Sequence, residues 1–239
     1  MNIINPYRFG LKSGLAFVYQ LTETSGDVID SVRANNGTNN GCTVNQTGKI
    51  LKSYRFTEAS KNYLSLPNHA LWSATDGVNE QGMSISLWVY YIAGDKYDGF
   101  LTKRGGGYTE WQLIIADPYF AFEMWTADLS GYLEAIINIP FSTLNWYHVV
   151  CTYDGSKSHG GIKLYKNGAL LTTTNTTLGT YVGAVNTPAT VEVGKYGWGD
   201  GGYLNGNVEQ IAFWNRALTV GEIARLYNSG NGLAYASWM

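Results

Sequence analysis

Two stretches of the sequence gather aromatic rings, glycines and hydrogen-bonding groups. In Gly194-Lys195-Tyr196-Gly197-Trp198-Gly199-Asp200-Gly201-Gly202-Tyr203, five glycines keep the backbone open around three rings and one carboxylate. In Lys103-Arg104-Gly105-Gly106-Gly107-Tyr108-Thr109-Glu110-Trp111, two rings follow a run of three glycines. Sugars offer C–H faces that stack on aromatic planes and hydroxyls that need polar partners, so this mixture suits carbohydrate binding. The candidate carbohydrate-binding residues are therefore Tyr196, Trp198, Asp200, Tyr203, Tyr108 and Trp111. The competing reading is structural, with Trp198 capping a core and the glycines serving only the turns.

Residues for catalysis are sparser. Hydrolysis of a glycosidic bond by the retaining route needs two carboxyl groups about 5–5.5 Å apart, which a single strand supplies at alternating positions. Glu110, Glu123, Glu134, Glu192 and Glu209 each stand alone, which leaves only a pair converging from separate strands. His69, His148 and His159 have no G-x-S-x-G motif and no nearby cysteine partner. Cys42 and Cys151 lack the spacing of a zinc site, and Cys151 lies in an apolar run as a small hydrophobe. No catalytic residue is expected.

The elements that must position these groups are strands. Runs with strand character recur at Leu15–Gln20, Tyr54–Thr57, Tyr63–Leu66, Ser84–Ile92, Phe100–Lys103, Glu110–Ala116, Phe120–Trp125, Trp146–Tyr153, Ile162–Lys166, Ala169–Thr174, Thr190–Gly194 and Val208–Trp214, separated by Gly, Asn, Asp and Ser. Asn167-Gly168 predicts a tight hairpin, because both turn positions need positive φ. One helix is predicted over Val220–Asn228, with Thr219 and Glu222 as a capping box and Leu218 and Ile223 as a hydrophobic staple. A dozen strands with one helix predict an all-β, two-sheet antiparallel sandwich over residues 15–229. Residues 1–14 form an N-terminal arm and 230–239 a C-terminal tail; Ile3, Ile4, Tyr7, Phe9 and Trp238 make these ends apolar enough to dock on a neighbour or to fold back.

Composition narrows the class further. Only 14% of the 239 residues are charged and the net charge is -2, without a run of either sign, so no nucleic-acid partner is expected. With 29 glycines and 18 tyrosines, the polarity comes from neutral groups, as in extracellular or virion proteins. No apolar stretch approaches the roughly 20 residues of a membrane span. No secretory signal pattern is visible near Met1.

Six ordered blocks resemble the laminin G-like jelly roll of the concanavalin A-like lectins and glucanases. They are Gly26–Ser31 with Asn35–Thr38, Ser84–Val89, Trp146–Val150 with Tyr153–Gly155, Ile162–Gly168, Leu204–Ile211 with Trp214–Leu218, and Glu222-Ile223 with Leu226-Tyr227. The resemblance implies a jelly-roll sandwich with one short C-terminal helix and a lectin-like binding or adhesion role. It places the two glycine-rich loops at one end of the sandwich, where they would line a shallow groove. It makes His148 a packed residue of the Trp-x-His block. Glucanases of this fold carry Glu-x-Asp-x-Glu or a close variant on one strand, a run this sequence lacks. Relatives often hold a structural Ca²⁺; here Asp30 and Glu209 would be its ligands, with Glu209 standing where the family usually has Asp. The alternative for Asp30 is hydrogen bonding within its own turn. Asn5-Pro6-Tyr7-Arg8-Phe9 resembles the openings of phage virion proteins. The leading expectation is a homo-oligomeric module on the virion surface, a capsid decoration, head fibre or tail fibre held to other virion proteins by its arms and able to bind host glycans. The alternatives are a secreted, extracellular carbohydrate-binding module of bacteria and a glycoside hydrolase.

Overall fold

A computed structural model describes residues 10–93, 97–196 and 202–239. Its strands form two antiparallel sheets packed face to face. The first sheet runs in the order β13 (Ala169–Leu170), β12 (Ile162–Lys166), β11 (Asn145–Tyr153), β6 (Met83–Ala93), β16 (Asn205–Trp214), β4 (Lys52–Phe56) and β3 (Thr43–Thr47), with β1 (Leu15–Tyr19) also paired to β16. The second runs β14 (Thr174–Gly179), β10 (Gly131–Asn138), β9 (Tyr119–Trp125), β8 (Tyr108–Ala116), β7 (Tyr97–Gly105), β15 (Val191–Val193), β5 (Tyr63–Leu66) and β2 (Thr38–Asn40). This is the expected sandwich.

Alternation along the strands decides which side chains enter the core. Trp111, Leu113 and Ile115 of β8, Phe120, Phe122 and Met124 of β9, and Leu133 and Ala135 of β10 all join the cluster between the sheets. Ile85, Leu87 and Val89 of β6 and Val149 and Cys151 of β11 meet them from the other side. The residues between these inward positions on β8, β9 and β10 therefore lie on the outer face of the second sheet, where the candidate site is built.

The helix α1 (Val220–Tyr227) begins with the predicted reciprocal cap: Glu222 N–H donates to the Thr219 hydroxyl, while the Glu222 carboxylate accepts from Thr219 N–H. Leu218, Ile223 and Leu226 are buried in a second apolar cluster on the outer face of the first sheet. That cluster also absorbs the chain ends. Trp238 is 1% exposed and stacks on Trp214 at 5.5 Å between ring centroids, and Leu11 is fully buried beside them. Gln210 ties the tail down through Leu233 C=O and Tyr235 N–H. Of the two readings of the chain ends, docking on a neighbour or folding back, the tail and residues 10–14 follow the second: their rings and aliphatic groups cover the outer face of the first sheet. Ile3, Ile4, Tyr7 and Phe9 lie outside the described residues.

Asn167 and Gly168 have φ of 52° and 77°, as the hairpin between β12 and β13 requires. Four strands were not foreseen: β2, β3, β10 and β14. The expected Ala169–Thr174 strand is shorter, Ala169–Leu170 as β13; Thr174 instead begins β14 in the other sheet.

Candidate carbohydrate-binding site

The second glycine-rich loop and Lys195, at the start of the first, meet at one end of the second sheet. A pocket of about 400 Å³ is walled by Arg104, Gly105, Gly106 and Tyr108 on one side and by Glu192 and Lys195 on another. Pro188, Ala189 and Thr190 close it. That third wall is pinned from beneath by a buried ion pair. Lys103 Nζ donates to Glu110 and to Thr187 C=O, and Glu110 also accepts Thr187 N–H. Burial lowers the Lys103 pKa, against the opposing pull of Glu110.

Within the pocket the polar groups are unevenly satisfied. Arg104 Nη1 donates to Gln112 Oε1 at 2.7 Å, and its guanidinium lies 4.7 Å from the centroid of the Tyr196 ring. Lys195 Nζ donates to Glu192 Oε1 at 3.1 Å and sits over the Tyr63 ring. The other oxygen, Glu192 Oε2, is buried and has no hydrogen-bond partner among the described residues, although Glu192 is 9% exposed. A buried acceptor without a donor is costly; Glu192 as a residue is part of the cavity lining. Tyr108, 41% exposed, supplies the accessible ring.

Glu192 belongs to a longer arrangement. Strand register sets Thr38, Ser65, Glu192, Thr102, Gln112, Glu123, Glu134 and Thr176 opposite one another in turn, one polar residue from each of the eight strands. Part of this row is linked by hydrogen bonds: Arg104 donates to Gln112, Gln112 Nε2 donates to Glu123 Oε2 at 2.6 Å, and Trp125 Nε1 donates to the same oxygen at 2.7 Å. Glu123 and Glu134 are direct cross-strand neighbours, so the carboxylates that stand alone in the sequence converge from separate strands. Burial and then the charge of Glu123 push the Glu134 carboxyl up to about 7. Burial also raises Glu123, against the lowering effect of Trp125, Gln112 and Arg104. Beside the pair, Trp125 and Tyr132 stack at 4.1 Å.

Residues 58–224 match the family described as the concanavalin A-like lectin/glucanases superfamily, represented by its laminin G type. The chain belongs to this superfamily. No curated protein matches it in sequence. Among solved structures, the binding domain of Paraclostridial Mosquitocidal Protein 1 is similar at a TM-score of 0.69 and 15% identity, covering 91% of this chain and 52% of that one. The botulinum neurotoxin serotype D binding domain gives 0.66 and 14%, covering 90% and 52%. A botulinum neurotoxin type C structure, whose cell entry depends on two ganglioside molecules, gives 0.66 and 15%, covering 91% and 51%. The superfamily member described here thus spans about half of each of these chains, and at such identities the likeness is one of fold.

The structure redistributes the predicted site residues. Tyr108 lines the pocket, and Tyr196 borders it through Arg104. Trp111 is corrected: it is 1% exposed inside the sandwich, and its Nε1 donates to Trp72 C=O, because it shares the inward phase of Leu113 and Ile115. Tyr203 is also corrected, being 8% exposed and packed against Tyr63 behind Lys195. Trp198 and Asp200 lie outside the described residues. Arg104 and Glu192 carry more of the site than the sequence suggested; the one available signal was that Glu192 and Lys195, three apart, flank the start of the first glycine-rich loop.

The calcium ligands expected in this superfamily do not fit. Asp30 accepts the backbone N–H groups of Val18, Val32, Arg33 and Asn35, organising its own turn. Glu209 accepts those of Lys49, Ile50 and Leu51. Each carboxylate is surrounded by N–H donors, whose positive ends repel a cation, and the two share no partner. Among the described residues no group of three or more His, Cys, Asp or Glu could hold a metal ion. His148 is packed as the resemblance implies: Nε2 meets Ser86 Oγ at 2.9 Å, the ring lies near Trp88 and Tyr227, and burial pushes its pKa down to about 3.

Proposed function

We propose that this chain is a lectin-like carbohydrate-binding module whose ligand enters the pocket between Tyr108 and Glu192. The observation that carries this reading is an exposed ring, Tyr108, in the wall of a cavity that Arg104, Glu192 and Lys195 also line. These polar side chains offer partners to sugar hydroxyls, and the C–H face of a sugar is the partner for the ring. The ganglioside dependence of botulinum neurotoxin type C is a precedent for glycan partners in a molecule carrying this fold. Display on a virion surface, or outside the cell, as a homo-oligomer agrees with the low charge content; recovery of the chain from purified particles and its mass by light scattering address that part. The binding test is an array of neutral and acidic oligosaccharides. Wild type should bind at least one series, and Tyr108→Ala should weaken that binding about tenfold or more, the equivalent of about 1.4 kcal/mol. Binding that survives both Tyr108→Ala and Glu192→Ala unchanged would contradict the assignment.

A second reading, glycoside hydrolysis, is favoured by one observation: the cross-strand pair of Glu123 and Glu134, with Glu134 titrating near neutrality. Glu123, held by Trp125 and Gln112, would be the nucleophile and Glu134 the acid. New reducing ends released from neutral oligosaccharides by wild type, but not by Glu134→Gln, would establish it; none released by either would remove it.

A further inference from the structure

A second cavity, of about 430 Å³, opens where the loop between β5 and β6 meets the end of β16. Ala70 and Leu71 give it an apolar wall, and Asp76, Gln81, Asn186 and Asn215 give it polar ones. Its walls are fixed to one another. Ser73 Oγ donates to Asn186 Oδ1 at 3.2 Å, and Glu80, beside Gln81, accepts the Tyr181 hydroxyl at 2.7 Å and Ala184 N–H at 2.9 Å. Gln81 N–H donates to Ala74 C=O, and Asn215 Nδ2 donates to Leu71 C=O. The cavity is thus formed before any ligand arrives, which spares binding the cost of ordering a loop. Segment 186–190 separates it from the Tyr108 pocket: Asn186 lines this cavity, and Pro188, Ala189 and Thr190 line the other.

The polar groups of this cavity are mostly acceptors. Asn215 and Gln81 direct their Nδ2 and Nε2 donors to Leu71 C=O and Asp76 Oδ2, so Asn215 Oδ1 and Gln81 Oε1 make no hydrogen bond to a described residue. Asn186 is the reverse: its Oδ1 accepts from Ser73, and its Nδ2 is the unused donor. Asp76 is exposed, and the backbone N–H groups of Asn79 and Val78 hold its carboxyl below the usual carboxylate range, so the cavity carries a negative charge. Among the described residues no lysine or arginine lines it. The Tyr108 pocket has the opposite balance, with Arg104 and Lys195 against Glu192. Three acceptors, one of them charged, beside a single amide donor match an ammonium group with a carbonyl next to it, and the apolar wall matches an aliphatic side chain.

We propose that this cavity is a second ligand site and takes an α-amino end: a primary ammonium with an adjacent carbonyl and an aliphatic side chain, as at the N-terminus of a peptide or in a free amino-acid amide. The ammonium is held by Asp76, Gln81 and Asn215, the carbonyl accepts from Asn186 Nδ2, and the side chain packs on Ala70 and Leu71. The site stands independently of the carbohydrate reading, because none of its residues lines the Tyr108 pocket.

The test titrates the ¹⁵N-labelled full chain with leucinamide, N-acetyl-leucinamide and leucylglycylglycinamide, following amide shifts. Leucinamide should move residues 70–81 and 215 and leave 104–108 in place. N-acetylation, which removes the positive charge and keeps the side chain, should weaken binding about fivefold, and so should Asp76→Asn. Equal binding of leucinamide and the tripeptide amide assigns the site to peptide ends, and binding of leucinamide alone assigns it to free amino-acid amides. If Asp76→Asn is not folded by its thermal melt, the comparison of leucinamide with its N-acetyl form decides by itself. Equal binding of those two, binding unchanged in folded Asp76→Asn, or no shift at 70–81 with leucinamide or the tripeptide amide overturns the proposal and leaves the carbohydrate assignment in place.

Discussion

At the scale of single residues, burial separates rings that were equivalent in the sequence. Tyr108 and Trp111 are three positions apart in one glycine-rich stretch, yet one is 41% exposed and the other 1%. The period of two through Leu113 and Ile115 was the available signal for placing Trp111 inside. No such signal existed for the Glu123–Glu134 contact, because a single sequence does not state which residues of two strands face each other. That contact has a pH consequence. Glu134 is raised in the folded chain from the ordinary 4.5 to about 7, so between these values the folded state holds a proton that the unfolded state has released. Stability should therefore fall as pH rises from about 4.5 to about 7, with the loss complete above that range. Thermal melts of Glu134→Gln across the same range should show a shallower fall than wild type; an unchanged slope would assign the effect to another group.

At the scale of elements, the legible strands were those with buried apolar residues. The predicted ends of Tyr63–Leu66 and Ile162–Lys166 coincide with β5 and β12. β2, β3 and β14 are short of apolar side chains and lie at or near sheet edges, so hydrophobic alternation could not reveal them. β10 does alternate in burial, but its outward positions include Tyr132 and Ile136, which blur the period. The hairpin at Asn167-Gly168 was legible because its backbone requirement is local. Gly168 has φ of 77°, and a Cβ there would lie 3.0 Å from the Tyr227 ring. Gly168→Ala should accordingly cost about 1–2 kcal/mol in urea unfolding, and a neutral result would mean that the turn can change type.

At the scale of the whole molecule, one apolar core lies between the sheets and another under the helix and the chain ends. The second explains why apolar termini do not by themselves imply a partner: Trp238 covers Trp214, whose Nε1 donates to Leu11 C=O. Trp238→Ala should lower unfolding stability by about 3–5 kcal/mol, in the range of large-to-small core substitutions, without changing the oligomeric mass. A change in mass with little loss of stability would restore the tail as an attachment arm. The outer face of the second sheet is also buried along its middle, at Thr102, Gln112, Ile114 and Glu123, and opens at the pocket beside Tyr108.

The most direct test of the carbohydrate-binding assignment is residue-resolved NMR of the ¹⁵N-labelled chain during titration with the strongest oligosaccharide from the array. The account predicts that amide shifts concentrate at residues 104–108 and 188–195. Shifts confined instead to a separate cavity, of about 430 Å³ beside Leu71, Asp76 and Asn215, would contradict it.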